Sequence, residues 1–206
     1  SFATEEDIFG VVERVLHSTF TTFSDRPVDA PPWPRIPWRE AMLRYGTDKP
    51  DLRIPLAMVD VTEVFRGSAF RAFAGPVASS GAVVRALPVR GIKGRPRSFF
   101  DRLVEQAREL GAKGLAYLVW DGAEVKGPIR KFLAAGEVEA LARAGEMADG
   151  DVLFFLCDEE AAAARVGGAL RAVLGRELWP AAAEAFRFCW VVDFPMYERD
   201  PESGAI

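Results

Sequence analysis

The chain has 206 residues, half of them apolar and 27% charged, with a net charge of −4 at neutral pH. That composition suits one or two packed domains and excludes disorder and fibrous structure. No apolar run reaches the ~18 to 20 residues of a membrane span, and the acidic opening Ser1-Phe2-Ala3-Thr4-Glu5-Glu6-Asp7 is unlike a signal peptide, which points to a cytoplasmic protein without a membrane partner.

Thr4 followed three residues later by Asp7 forms a capping-box pattern. Ile8, Val11, Val12, Val15, Leu16, Thr19 and Phe20 then recur at helical spacing, so a helix is expected over about 5–22. Four prolines between Pro31 and Pro37 forbid helix and favour an extended segment. A short helix over 38–45 ends at Gly46, and Thr47 to Arg53 reads as a polar loop around the Pro50 turn. From about residue 56 the texture changes to short alternating elements. Strands are expected over 58–61, 69–74 and 82–89, then a helix capped by Ser98 with Leu103, Val104, Ala107 and Leu110 on its apolar face. Further along come a strand over 114–120 with a turn at Asp121-Gly122, a helix over 136–144 and a strand over 152–157. The alanine-rich run 159–174 has the strongest helix propensity, and Gly167-Gly168 in its middle predicts close packing against a neighbour. A last apolar strand is expected over 188–192, ending at Asp193, and its chain should lie near the first helix.

Few residues suggest chemistry by type alone. Cys157 and Cys189, each in an apolar run, supply neither a disulfide framework nor a metal clip and read as core thiols. His17 is the only histidine, too few for a histidine metal site. The glycine-rich runs 91–95 and 167–171 fit neither the Walker nor the Rossmann spacing. Between Arg85 and Arg102 six cations face the single acid Asp101. Within that stretch Arg90, Lys93, Arg95 and Arg97 read either as a solvated loop or as a contact to an RNA backbone, and no interleaved aromatic residue indicates base stacking. Asp48, Lys49, Asp51 and Arg53 crowd two carboxylates and two cations around a proline turn, which either pairs its own charges or presents them to a charged ligand. Asp193, at a strand end, is either a turn carboxylate or a functional one held on a rigid element.

The run Arg44-Tyr45-Gly46-Thr47-Asp48-Lys49-Pro50-Asp51-Leu52-Arg53 closely resembles the signature that follows the second class II motif in bacterial-type aspartyl-tRNA synthetases. Pro34-Arg35-Ile36-Pro37, Gly111 to Tyr117, Gly127 to Leu133, Asp149 to Phe155, Gly168 to Arg171 and Trp190 to Glu198 resemble further blocks of that family in register. The resemblance implies an α+β architecture: a GAD-like insertion domain at 57–186, a mixed or antiparallel sheet with helices on one face. Pieces of an antiparallel class II catalytic sheet would flank it at 1–56, after motif 2, and at 187–206, before motif 3. It also implies that the chain is the middle of a longer ligase that joins aspartate to tRNA using ATP and magnesium, and that acts as a homodimer. Neither cofactor is expected to bind this stretch, because the motifs that hold them are expected outside it. The insertion would brace the catalytic core and meet tRNA through Arg90, Lys93, Arg95 and Arg97, while Asp48, Lys49, Asp51, Arg53 and Asp193 would stand nearest the substrate site. No catalytic set is complete here, so the segment by itself is expected to be inactive. The alternative is a stand-alone tRNA-binding GAD module like that of the glutamyl-tRNA amidotransferase.

Overall fold

The first helix, α1 (Glu5–Phe23), begins as its sequence predicts. The Thr4 backbone N–H donates to the Asp7 carboxylate at 2.8 Å, and the Asp7 N–H returns a bond to Thr4 Oγ1 at 3.3 Å. In this computed structural model, which describes residues 2–180 and 184–197, α1 leads through the proline-rich segment into β1 (Arg35–Pro37) and α2 (Trp38–Tyr45). Gly46 closes α2 in the left-handed conformation, its N–H bonded to the Met42 carbonyl.

Next come β2 (Val59–Asp60), α3 (Thr62–Phe65), α4 (Arg71–Ser79), β3 (Val83–Val89), α5 (Arg97–Glu109), β4 (Ala116–Asp121) and β5 (Glu124–Lys126). A 3-10 turn at Arg130–Phe132, α6 (Ala135–Gly145), β6 (Val152–Asp158), α7 (Glu160–Leu178) and β7 (Trp190–Val192) complete the described chain. Strands β2-β3-β6-β4-β5 form a sheet in that order, and every pairing in it is antiparallel.

The α+β class is the one expected, with the helices distributed differently. They cover both faces of the sheet. Leu87, Val89, Val152, Phe154 and Leu156 point to α5 and α7, while Val84, Ala86, Leu153 and Phe155, one position out of phase, point to α3, α4 and α6. A strand buried on both faces has no polar side to display, which is why β6 reads Val-Leu-Phe-Phe-Leu without alternation. Burying each such side chain is worth about 1.5–3 kcal/mol, so this central strand carries much of the fold's stability.

Four local expectations are corrected. Residues 69–74 do not form a strand: Phe70, Phe73, Ala74 and Val77 lie at helical spacing and turn one face of α4 into the core. Ser98 does not cap α5. The helix starts at Arg97 with Pro96 before it, and proline's fixed φ sets the entry without a side-chain cap. The last strand is shorter than expected, because Phe188 stacks on the Trp33 ring at 4.4 Å between centroids rather than entering a ladder. Finally, β1 and β7 pair in parallel, with Arg35 opposite Trp190, where an antiparallel arrangement was expected.

The first helix and the Trp190 strand meet as expected. Trp190 packs on Phe9 of α1 with ring centroids 4.6 Å apart, and the Trp190 N–H donates to the Pro34 carbonyl at 2.8 Å. Buried Glu13 accepts from both the Trp33 backbone N–H and the Trp190 indole. Cys157 and Cys189 are free thiols, half-buried rather than fully within the core. No helix among the described residues is long and apolar enough to cross a membrane.

Candidate functional site

The segment Arg44–Arg53 lies against one face of α7. Glycine makes the approach possible. A Cβ on Gly46 would stand 2.1 Å from the Ala164 carbonyl oxygen, and one on Gly168 would stand 2.7 Å from the Tyr45 carbonyl oxygen, so the two backbones touch directly. Gly175 does the same for the Ile54 side chain, whose Cδ1 would be 2.3 Å from an added Cβ. Of the predicted glycine pair, Gly168 meets this turn and Gly167 makes room for the Met58 sulfur.

Asp51 and Arg53 face each other as a forked pair. Arg53 Nε and Nη2 donate to the two carboxylate oxygens, each at 2.8 Å, and the Arg53 backbone N–H adds a third bond at 3.0 Å. The Arg53 side chain is the main cause holding the Asp51 carboxyl below the usual carboxylate range; burial opposes it, and the Arg53 backbone N–H assists. The two remaining charges of this turn do not join the pair. Among the described residues, exposed Lys49 bonds only through its backbone N–H, to Thr47 Oγ1, and half-exposed Asp48 has no bond. Asp193 is exposed at the end of β7 with φ at 56°, a conformation Asp tolerates better than most residues, and it makes no hydrogen bond or ion pair with a described residue. The structure therefore joins Asp51 with Arg53 and leaves Asp193 unconnected to them. Glu198 and the rest of the expected re-entry segment beyond Tyr197 lie outside the described residues.

Arg171, which the sequence alone does not mark as a site residue, holds the stretch from Asp51 to Leu56. Its side chain is buried, Nε donates to the Leu56 carbonyl at 2.5 Å, and Nη2 donates to the carbonyls of Asp51 at 2.6 Å and Ile54 at 3.0 Å. Its guanidinium also lies 4.9 Å from the Tyr45 ring centroid. Burial pulls the pKa of this group down, with Asp51 and Tyr45 opposing. The one available signal is an arginine three residues after the glycine pair, in an alanine-rich helix that also holds Arg165 and Arg176.

The basic loop is less free than its sequence suggests. Arg90 bonds Asp151 at 2.8 Å and the Glu146 carbonyl at 2.6 Å, and Lys93 bonds Asp149 at 2.7 Å and Asp121 at 3.2 Å. These acids lie roughly thirty to sixty positions away in the chain, so no local count could reveal them. Burial pushes the Asp151 carboxyl up, but the Ala148 N–H, Arg90 and the Gly91 N–H together outweigh it and hold the group below its ordinary value. Asp149 first and Asp121 second raise the Lys93 pKa. Arg85 and Arg102, at the ends of the basic stretch, pair with Asp60 and Glu160, and with Glu177. Arg95 lies over the Phe99 ring at 5.5 Å, and Arg97, 90% exposed, reaches Asp101 only at 3.6 Å. Of the four predicted cations, then, Arg95 and Arg97 remain open to an external anion, and Arg90 and Lys93 are committed to the fold.

Among the described residues no three His, Cys, Asp or Glu side chains converge into a set that could hold a metal ion. The groove beside the turn is shallow and open, lined by Asp51, Arg53, Ile54, Gly175, Arg176 and Trp179.

Comparison with known proteins joins these features. Residues 73–166 match the family model of the GAD domain. Over its full length the chain is 47% identical to the aspartate–tRNA(Asp/Asn) ligase of Paramagnetospirillum magneticum, 48% identical to that of Acidiphilium cryptum and 44% identical to that of Orientia tsutsugamushi. It spans only 24%, 35% and 34% of those proteins, about a quarter to a third of their length. Among solved structures, a hypothetical protein from Pyrococcus horikoshii OT3 matches half of the chain at 23% identity and a TM-score of 0.35.

Proposed function

We propose that this chain is an internal segment of an aspartate–tRNA ligase, a cytoplasmic, homodimeric enzyme that activates aspartate with ATP and transfers it to tRNA. The observation that carries this reading is the continuous match to such ligases across all 206 residues, well beyond the GAD domain itself. A stand-alone GAD module gives no reason for Arg44–Arg53 or for the Trp190 strand to be present, which favours the ligase over the amidotransferase-type alternative. On this reading 1–56 and 187–206 belong to the catalytic domain and 57–186 is the insertion.

In this reading the turn at 47–56 stands beside the substrate site. Arg53 is occupied on two donors by Asp51, so it shapes the turn rather than offering a free charge. Lys49 is the exposed cation of the turn and the group best placed to meet an anionic substrate. Asp48 and Asp193, which bond no described residue, would orient groups supplied by the rest of the ligase. On this reading the magnesium and ATP of the ligation are held by other parts of the ligase, and the described residues include no group of three or more His, Cys, Asp or Glu that could hold a metal ion. The insertion braces the catalytic core through α7, and Arg95 and Arg97 contact the tRNA backbone.

The test is aspartate-dependent ATP–pyrophosphate exchange and charging of an aspartate tRNA transcript by the protein as expressed from its gene. Activity in both assays is expected. Tight tRNA binding with neither activity would instead support the amidotransferase-type module.

A further inference from the structure

We infer that Arg171 is a positioning residue through which α7 of the insertion fixes the turn carrying Asp51 and Arg53. The inference extends the reading above, since it takes that turn to stand beside the substrate site.

Three observations converge on it. First, a buried guanidinium loses much of its hydration, and here it recovers hydrogen bonds from backbone carbonyls alone: Asp51, Ile54 and Leu56. Its donors thus go to the path of the turn rather than to another side chain, and a planar fork can satisfy those carbonyls only in one arrangement of the backbone. Secondly, the contacts with the turn recur along one face of α7. Ala164, Gly168, Arg171 and Gly175 are three or four residues apart, and they meet Gly46, Tyr45, the three carbonyls and Ile54. Thirdly, the opposite face of the same helix is seated in the sheet core through Val166, Leu170 and Leu174. The helix is therefore rigidly placed by the insertion's own core, and Arg171 transmits that placement to the turn. Among the described residues no carboxylate hydrogen-bonds Arg171, and its bonds go to backbone carbonyls.

A structural residue of the core would loosen the fold generally, whereas a positioning residue loosens what it holds. The N–H groups of Ile54, Leu56 and Met58 are bonded to the carbonyls of Asp51, Ile54 and Arg44, so their hydrogen exchange reports on the turn. Two variants in the protein as expressed from its gene separate the cases. Arg171→Met keeps much of the stem and removes the donors, and Val166→Ala removes apolar contact on the sheet side of the same helix. In Arg171→Met the amides of Ile54, Leu56 and Met58 are expected to exchange roughly tenfold faster or more while the amides of β6 keep their rates. In Val166→Ala the turn is not singled out. If Arg171→Met does not fold, Arg171→Lys, which retains charge without the fork, serves in the same comparison.

Turn amides that stay protected, or that speed up only in step with β6, overturn the inference. Aspartate-dependent exchange activity is then measured in Arg171→Met, Asp51→Asn and Val166→Ala. A fall in kcat/KM shared by the first two and exceeding that of Val166→Ala supports both the inference and the site. A loosened turn with unchanged activity in both leaves Arg171 as the positioning residue and removes the turn from the substrate site.

Discussion

The Trp190 indole donates to Glu13 Oε1 at 2.9 Å, joining residues 177 positions apart. The same carboxylate oxygen accepts from the Trp33 backbone N–H at 3.1 Å, so one buried acid ties α1, the proline-rich segment and β7 together. Glu13→Ala leaves two donors without a partner and should cost roughly 1–3 kcal/mol for each that stays buried. Glu13→Gln keeps an acceptor oxygen and should cost distinctly less. Chemical denaturation of the two variants side by side measures the difference, and equal losses would mean that packing rather than the acceptor matters.

At Gly46 two penalties coincide, a φ of 70° and a missing Cβ whose place lies 2.1 Å from the Ala164 carbonyl oxygen. Gly46→Ala should therefore destabilise the fold by about 2–4 kcal/mol, from backbone strain and overpacking together. For a chain of this size that corresponds to a melting midpoint lower by roughly 5–15 °C. Gly10, which has open space around it, is the control: Gly10→Ala should be neutral or slightly stabilising in the same calorimetric scan.

The pH dependence of stability follows from Asp51 and Asp151, both held below their ordinary value in the folded chain. A depressed carboxyl pKa adds stability above the unfolded value, ~3.9, and that contribution is lost as pH falls through the folded value. Denaturation midpoints should thus hold near neutrality and decline below about pH 4. Asp151→Asn should be less stable at pH 7 and show a shallower acid decline. A decline as steep as the parent's would remove Asp151 as a contributor.

The two open cations and the two committed ones should behave as different classes. Arg95→Ala with Arg97→Ala should weaken binding to a tRNA transcript and lower the salt slope by about 2, while leaving the melting temperature unchanged. Arg90→Ala or Lys93→Ala should act mainly on stability by uncovering Asp151 or Asp149. Filter binding across a salt series, paired with thermal melts, separates these; an unchanged slope for the Arg95 and Arg97 double variant would remove this loop from RNA contact.

The 206-residue chain on its own should show no aspartate-dependent ATP–pyrophosphate exchange. Turnover above background in a preparation free of host synthetase would contradict that expectation.

What could be read from sequence divides along the range of the interactions. The start of α1 was legible because Thr4 and Asp7 sit within one turn of each other, and β6 because a doubly buried strand needs apolar residues at every position. The glycine pair in α7 announced a close neighbour without naming Tyr45, Gly46 or Met58. Residues 69–74 misled because a short apolar run fits both periods, and the choice was made by Phe65 and Phe155, against which the α4 face packs. The Asp51–Arg53 pairing was within reach as one of two options. The partners of Arg90, Lys93 and Arg171 were not, since each is supplied by folding from distant parts of the chain.

The GAD family match stops at Val166, in the first half of α7, yet Leu170 and Leu174 further along the same helix close the sheet core and Arg171 holds the turn. The end of the sequence match and the edge of the packed unit therefore differ. A swap between relatives that exchanges only 73–166 would splice a helix in mid-course and graft a foreign core onto a native clasp. A transplant that keeps its shape must run through Leu178 and carry residues 44–58 with it, so in evolution α7 and that turn should change as a single unit.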